Sequence, residues 1–417
     1  MTDECPVDLD DPGLLLRGDV LDDPTAFHDA LRAQAPVWQV PGQDTYLVSD
    51  PKLVREAVGR PEDFSSNLAS VLHDDGSGCP VAFRMSRPGD PVNVLSTADP
   101  PIHTRHRRVL QQFLSPAAVA ALEPVVGQIV GECLDQLLAG PTADAVPVFT
   151  DAVPIRTVCE LVGLPAEDST YLVQKVGETG ALMDGVTDLD GISAGAVAAL
   201  ELTGYVEGQL HASLALPTAE RRGLVGVLAD AVDADELNAG EARDILVVLV
   251  SAGSETTSSL LATAVETLAR DQALQDRLRR DPSGIPDAVE HLLRTDGPFQ
   301  FHYRYVTGDT ELGGVQIPAK SRLLLMWAAA NRPAPGATEG LGTADDRGPA
   351  PHFAFGRGLH FCIGAPVARL EARVALEALL ARTASFELAP GQPPTRRPSI
   401  FIRRHATLPV VVRPAEF

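Results

Sequence analysis

The run Phe355-Gly356-Arg357-Gly358-Leu359-His360-Phe361-Cys362-Ile363-Gly364 constrains the architecture of this chain more than any other stretch. It sets one cysteine between glycines, immediately before a helical pattern. Pro366 suits a first helical turn, and Val367, Leu370 and Val374 recur at the spacing of one apolar face. A helix N-terminus aims unpaired N–H groups at the sulfur, which is expected to lower the thiol pKa and favour the thiolate. Gly356, Gly358 and Gly364 let backbone approach a flat ligand where a side chain would collide. Taken alone, the same residues are also compatible with a buried structural cysteine.

A long helix is expected from about Asn238 to Arg270. Asn238 followed by Glu241 forms a capping-box pattern, and Ile245, Leu249, Ala252 and Thr256 fall near one face. At 1.5 Å per residue it would run roughly 45–50 Å and cross the whole molecule. Its middle reads Ala252-Gly253-Ser254-Glu255-Thr256-Thr257. Glycine costs about 1 kcal/mol there relative to alanine, and a buried helix gains nothing from an acid and hydroxyls at its centre. Such a local penalty points to a site, with a solvated stretch of helix as the plainer alternative.

A third pattern is Asp99-Pro100-Pro101-Ile102-His103-Thr104-Arg105-His106-Arg107-Arg108. Residues four apart share a helix face, so His103 and Arg107 can address one anion, whereas Arg105 and Arg108 read as solvated. Short strands are expected at Val37–Val40 and Thr45–Val48, and long loops at Val71–Val92 and Glu339–Pro351.

Composition excludes several classes. A net charge of -22 argues against nucleic acid or an anionic membrane as the main partner. The five cysteines are scattered without a C-x-x-C pair, so a disulfide scaffold or zinc site is not expected, and a reducing cytosol is. Residues 1–23 form an acidic, proline-broken segment without signal-peptide character. The strongly apolar run Ile245–Ala252 is too short to span a bilayer, so a soluble protein is expected. A hydrolase would require a Gly-x-Ser-x-Gly elbow and a zinc protease a His-Glu-x-x-His pair, and neither is expected here.

The cysteine run, Phe-Gly-x-Gly-x-His-x-Cys-x-Gly followed by Ala368-Arg369-Leu370-Glu371, resembles the haem-binding signature of cytochromes P450. The long-helix segment resembles the acid–alcohol pair of the same family. Together the motifs span about Pro24 to Val412. Gly59–Asn67 and Leu323–Trp327 look most like an actinobacterial branch.

The resemblance implies a mainly α fold with small β-sheets, one domain over 24–417, and haem b between the long central helix and the cysteine-bearing helix. Cys362 would be the axial thiolate. His103, Arg107, Arg304 and His360 would bind the haem propionates, and Phe355, Gly356, Gly364, Ala252 and Gly253 would lie against the macrocycle. Thr256 would orient a proton source to dioxygen, and Glu255 would relay protons from solvent. Gly253 would leave room for dioxygen and let the helix bulge. Electrons from NAD(P)H would arrive through a ferredoxin reductase and a ferredoxin, steered to Arg105, Arg108, Arg369 and Arg373. One oxygen atom would enter a lipophilic substrate. Its pocket would be walled by the Val71–Val92 loop, the Tyr171–Leu214 helices, Val248, Ala252, Phe299–His302 and Ser399–Ile402. A haem-binding protein without turnover, a sensor or degenerate member, is the competing reading. Retention of Glu255 and Thr256 favours the enzyme. The sequence leaves the oligomeric state open.

One family motif departs. Where the pattern is Glu-x-x-Arg, the chain has His291-Leu292-Leu293-Arg294. Glu290 lies one residue early, rotated about 100° around the helix, and is expected to reach Arg294 only as an i,i+4 surface contact. Arg347 is the candidate for the third partner of that network. A histidine accepts one hydrogen bond where a carboxylate accepts several, so a less firmly held haem is expected.

Overall fold

The computed structural model describes residues 7–85, 93–332 and 351–415. Arg347, and all of the Glu339–Pro351 stretch except its last residue, lie outside them. The architecture is mainly helical with small sheets, as expected. The long helix runs Ala239–Arg270, 32 residues, with the expected capping box: Asn238 accepts from the Glu241 N–H, and the Glu241 side chain accepts from the Asn238 N–H. Among the described residues two helical segments, Pro116–Leu137 and this one, are long and apolar enough to cross a membrane by length and composition alone, contrary to the reading of Ile245–Ala252 by itself. Here the long helix is the core of the fold: Ile245, Leu246, Val250, Leu260, Leu261 and Val265 are all buried. A helix apolar around most of its circumference satisfies itself in that way.

A five-stranded sheet, in the order Val37–Gln39, Thr45–Val48, Arg322–Leu325, His302–Val306, Phe64–Ser65, flanks the helical body. It fixes the register of Arg304, which lies opposite Leu323. The expected loop at Val71–Val92 is instead a hairpin over its described part. Ser70–Asp74 pairs antiparallel with Pro80–Arg84. Val71 and Leu72 are buried with Phe83 packed against their cluster, and the Asp75-Gly76-Ser77-Gly78-Cys79 segment between the strands, with Gly76 and Gly78 at positive φ, makes the turn. Residues 7–23 pack onto the body through Leu14 and Leu15, buried in a cluster that includes Phe27, Leu31 and Trp38.

The cysteine helix, Ala365–Arg382, has Pro366 in its first turn and buries Val367, Leu370 and Val374. Gly253 corrects an expectation. The long helix continues through it without a bulge, and a Cβ there would stand 2.8 Å from Val158 Cγ2. Its bareness lets the helix Ala152–Val162 pack close.

Candidate functional site

One cavity of about 490 Å³ lies between the long helix and the cysteine helix. All twelve residues singled out from the sequence border it: His103, Arg107, Ala252, Gly253, Glu255, Thr256, Arg304, Phe355, Gly356, His360, Cys362 and Gly364. Four separate segments meet there.

The cysteine loop is shaped by two glycines. Gly356 and Gly358 have φ of +66° and +69°, which side chains rarely adopt. Gly364 is in ordinary helical geometry, so its role is only to leave the sulfur's surroundings open. The Cys362 N–H donates to the Phe355 carbonyl at 2.9 Å. The thiol behaves against expectation. Burial pushes its pKa up, and the Gly364 and Ala365 N–H groups and Arg107 and Arg369 only partly offset this. The local helix-terminus effect is present but loses to burial, which only tertiary packing reveals. A metal ion at the sulfur would supply the missing charge.

Cationic and imidazole groups converge opposite. His103 and Arg107 lie on the helix Ile102–Gln111, as the spacing required. Arg107 donates to the Phe361 carbonyl at 2.8 Å, tying this helix to the cysteine loop. The His103 and His360 rings are 4.2 Å apart, and His360 Nε2 lies 2.9 Å from Ser66 Oγ. Burial, then neighbouring arginines, lowers the pKa of both histidines, His360 to about 3. Arg304 is buried and brought down to about 10 by desolvation, opposed by Asp99. It donates to the Tyr303 carbonyl. Among the described residues no carboxylate is ion-paired with Arg107 or Arg304, and the buried His103 Nδ1 has no partner. Buried cations demand anions. A flat dianionic macrocycle held by a sulfur ligand fits this set, so haem fits the residues present.

On the other wall, Thr256 donates to the Ala252 carbonyl at 2.7 Å within the long helix. Burial pushes Glu255 up to about 7. Arg404 opposes that rise and Asp184 adds to it. Arg404, on the strand Arg404–Thr407, donates to Glu255 Oε1.

Several expectations change. Glu290 is no surface partner of Arg294. It accepts from Arg369 Nε and Nη2 at 2.6 and 2.9 Å, and lies 3.1 Å from His352 Nε2. The 100° rotation turns it toward the cysteine helix. His291 Nδ1 lies 3.5 Å from Arg294 Nη2. The expected cationic patch is largely paired: Arg105 with Glu241, Arg108 with Glu236, Arg369 with Glu290, and Arg373 with Glu123 and Glu377. The described Val71–Arg84 residues do not border the cavity; Ser66, Leu68 and Leu95 do. The string Gly191-Ile192-Ser193-Ala194-Gly195 does match a Gly-x-Ser-x-Gly elbow, contrary to expectation. It lies inside the helix Leu189–Leu214 with the Ser193 hydroxyl bonded to the Leu189 carbonyl, so it makes no strand-to-helix elbow.

Sequence reasoning missed Arg404, Asp99 and Trp327. Asp99 accepts from the Ser65 hydroxyl and the Ser66 N–H. Trp327 donates to His302 Nδ1 at 2.7 Å. A buried-strand arginine after an apolar turn was the available signal for Arg404.

Comparison with known proteins follows the same line. No family model matches the chain. Cytochrome P450 144 of Mycobacterium tuberculosis is 37% identical over 396 residues, covering 94% of this chain and 89% of that protein. The 6-deoxyerythronolide B hydroxylase of Saccharopolyspora erythraea is 33% identical over 381 residues, covering 86% and 88%. The crystal structure of CalO2 superposes with a TM-score of 0.81 at 26% identity, covering 97% of this chain and 99% of that one.

Proposed function

This chain belongs to the cytochrome P450 family and is a haem-thiolate monooxygenase; from that premise we propose that Cys362 is its thiolate ligand and that it oxidises a lipophilic small molecule with electrons from a ferredoxin. The observation that carries the reading is the shared cavity. A sulfur, two guanidinium groups without an ion-paired carboxylate among the described residues and an acid–alcohol pair border one space of about 490 Å³.

Haem, when bound, supplies the redox and dioxygen chemistry, to which a thiolate lends electron density. The chain's residues do the rest. Arg107, Arg304, His103 and His360 neutralise and hydrogen-bond the propionates. Neutral imidazoles at His103 and His360 donate without adding charge to a site that already holds two guanidinium groups. Thr256 Oγ1 offers a hydroxyl at the oxygen side. Glu255, with a pKa near working pH, both releases and regains a proton readily. A non-catalytic haem protein has no use for that pair, so turnover is favoured.

Apolar walls support a lipophilic substrate. Leu95, Leu161, Val248, Leu249 and Phe401 surround the space above the long helix. The relative named for hydroxylating 6-deoxyerythronolide B is consistent with that class. For the electron donor, the cysteine loop exposes Leu359 and Phe361, 46% and 43%, beside the exposed Arg357. This apolar, basic landing face over the sulfur suits an acidic iron–sulfur protein.

The test is optical. The reduced protein with carbon monoxide should show the strongly red-shifted Soret band of thiolate ligation. Cys362→Ala should lose that band and NAD(P)H-dependent oxidation together. A Cys362→Ala protein with both intact would overturn the assignment.

A further inference from the structure

His302 stands in the cavity wall with one ring nitrogen engaged and the other open. It begins the strand His302–Val306 and pairs opposite Leu325, which brings its ring beside Trp327 two residues further on. The Trp327 Nε1–H donates to His302 Nδ1 at 2.7 Å. An indole N–H is a donor only, so Nδ1 must accept and carries no proton. The imidazole is then neutral with its proton on Nε2. Burial, which brings the ring's pKa down to about 3, acts in the same direction.

Packing fixes where that proton points. Phe299 and Phe401 stand edge-on to the imidazole, with centroids 4.5 and 5.6 Å away. Trp327 is 3% exposed and stacked on Phe353. The turn that carries Phe299 is held from two sides: the Gln300 N–H donates to the Phe401 carbonyl, and the Ala328 N–H donates to the Gln300 carbonyl.

Among the described residues His302 Nε2 has no hydrogen-bond partner, and it is not one of the unpartnered polar atoms that packing seals off. His302, Phe299, Trp327 and Phe401 all border the large cavity, so this nitrogen opens onto it. Several hydroxyls of the same cavity are committed elsewhere. Those of Thr97, Thr157 and Thr256 donate to the Val94, Val153 and Ala252 carbonyls, and those of Thr179 and Ser251 are sealed. A neutral N–H in an aromatic frame suits an uncharged acceptor, and a ligand without one would leave that donor unpaired and desolvated.

We propose that His302, aligned by Trp327, is a specificity-determining contact, and that the substrate is a lipophile with an uncharged carbonyl oxygen, a ketone, ester or lactone, that accepts from His302 Nε2–H. The proposal rests on the reading of the large cavity as the substrate site. Trp327 acts through His302 and is a positioning residue.

The probes are cyclododecanone and methylenecyclododecane, alike in size and different in one acceptor oxygen. Both are titrated into the holoprotein and followed by the ferric Soret shift and by calorimetry. The wild type should bind the ketone about tenfold more tightly than the alkene. His302→Phe removes the donor and should bind the two equally. His302→Gln can accept from Trp327 through its carbonyl and donate through its amide, so it should keep a preference of about fivefold. Trp327→Phe frees Nδ1 to take the proton and should lower the preference to about threefold, with the alkene affinity unchanged. A purely structural role would weaken both probes alike and leave their ratio in place.

Equal binding of the two probes by the wild type, or binding of neither, overturns the proposal. So does a His302→Phe protein that keeps the ketone preference while its reduction potential shifts, because the histidine then serves a haem propionate. The carbon monoxide band of the same samples separates the two readings. A wild type with the thiolate band and no ketone preference loses this proposal alone, and one that prefers the ketone without the band loses the thiolate reading alone. Should His302→Phe fail to fold, His302→Gln and Trp327→Phe decide the matter with the same signs.

Discussion

Two carboxylate–arginine pairs flank the haem cavity, and burial treats them in opposite ways. On the cysteine side, burial pushes Glu290 up, but hydrogen bonds from Arg369 and His352 outweigh it and bring the pKa down to about 2. On the long-helix side, burial pushes Glu255 up to about 7 because a single guanidinium, shared with Asp151, does not compensate for it and Asp184 works against it. The side chains are similarly screened, 21% and 16% exposed, so exposure does not decide the outcome. The number of donors committed to each carboxylate does. Glu290 is a rivet between the helix Ile285–Thr295 and the cysteine helix. Glu255 is a titrating group near neutrality.

The largest expected effect tests the rivet. A depressed folded pKa means that Glu290 contributes stability above its unfolded value near 4.5, and that this is lost as pH falls through about 2. Glu290→Ala should cost on the order of 2–3 kcal/mol at pH 7, read as a lower denaturation midpoint and faster haem loss. An unchanged midpoint would mean that the cysteine helix is held by other contacts.

Glu255 should show the reverse sign and a smaller effect. Its folded pKa is raised, so its favourable contribution is complete below about 4.5 and is lost as pH rises through about 7. The wild type should lose on the order of 2 kcal/mol between pH 5 and pH 8 from this group, and Glu255→Gln should flatten that slope. Parallel stability curves for the two proteins would erase the contrast between the pairs.

What the sequence made legible was local. The cysteine loop, the Asn238–Glu241 capping box and the His103/Arg107 spacing each lie within a few residues, and each occurs where its short pattern required. What it hid was distant. Arg404 meets Glu255 across 149 positions, and Arg369 meets Glu290 across 79. No periodicity links a strand near the C-terminus to the middle of a helix. The arginines near Cys362 read as an open patch because Glu123, Glu236 and Glu290 approach them from other elements. The thiol shows the same division: the N–H groups at Gly364 and Ala365 were readable, while the desolvation that outweighs them belongs to the packed molecule.

The smallest effect concerns the altered motif. With histidine at 291 in place of the family's glutamate, a weaker hold on haem was the expectation, yet Glu290 already bridges to the cysteine helix from the next position. Arg294 is buried, 7% exposed, and His291 Nδ1 reaches its Nη2 only at 3.5 Å. A carboxylate at 291 would add a charged acceptor within one helical turn of that guanidinium, but it would also stand one residue from Glu290, so repulsion offsets part of the gain. His291→Glu should therefore stabilise the holoprotein by only about 0.5–1 kcal/mol and slow haem transfer to a competing apoglobin slightly. A gain as large as the loss in Glu290→Ala would show that the family position, and not its neighbour, carries the tie to the cysteine helix. No change at all would show that Glu290 has taken over the task completely.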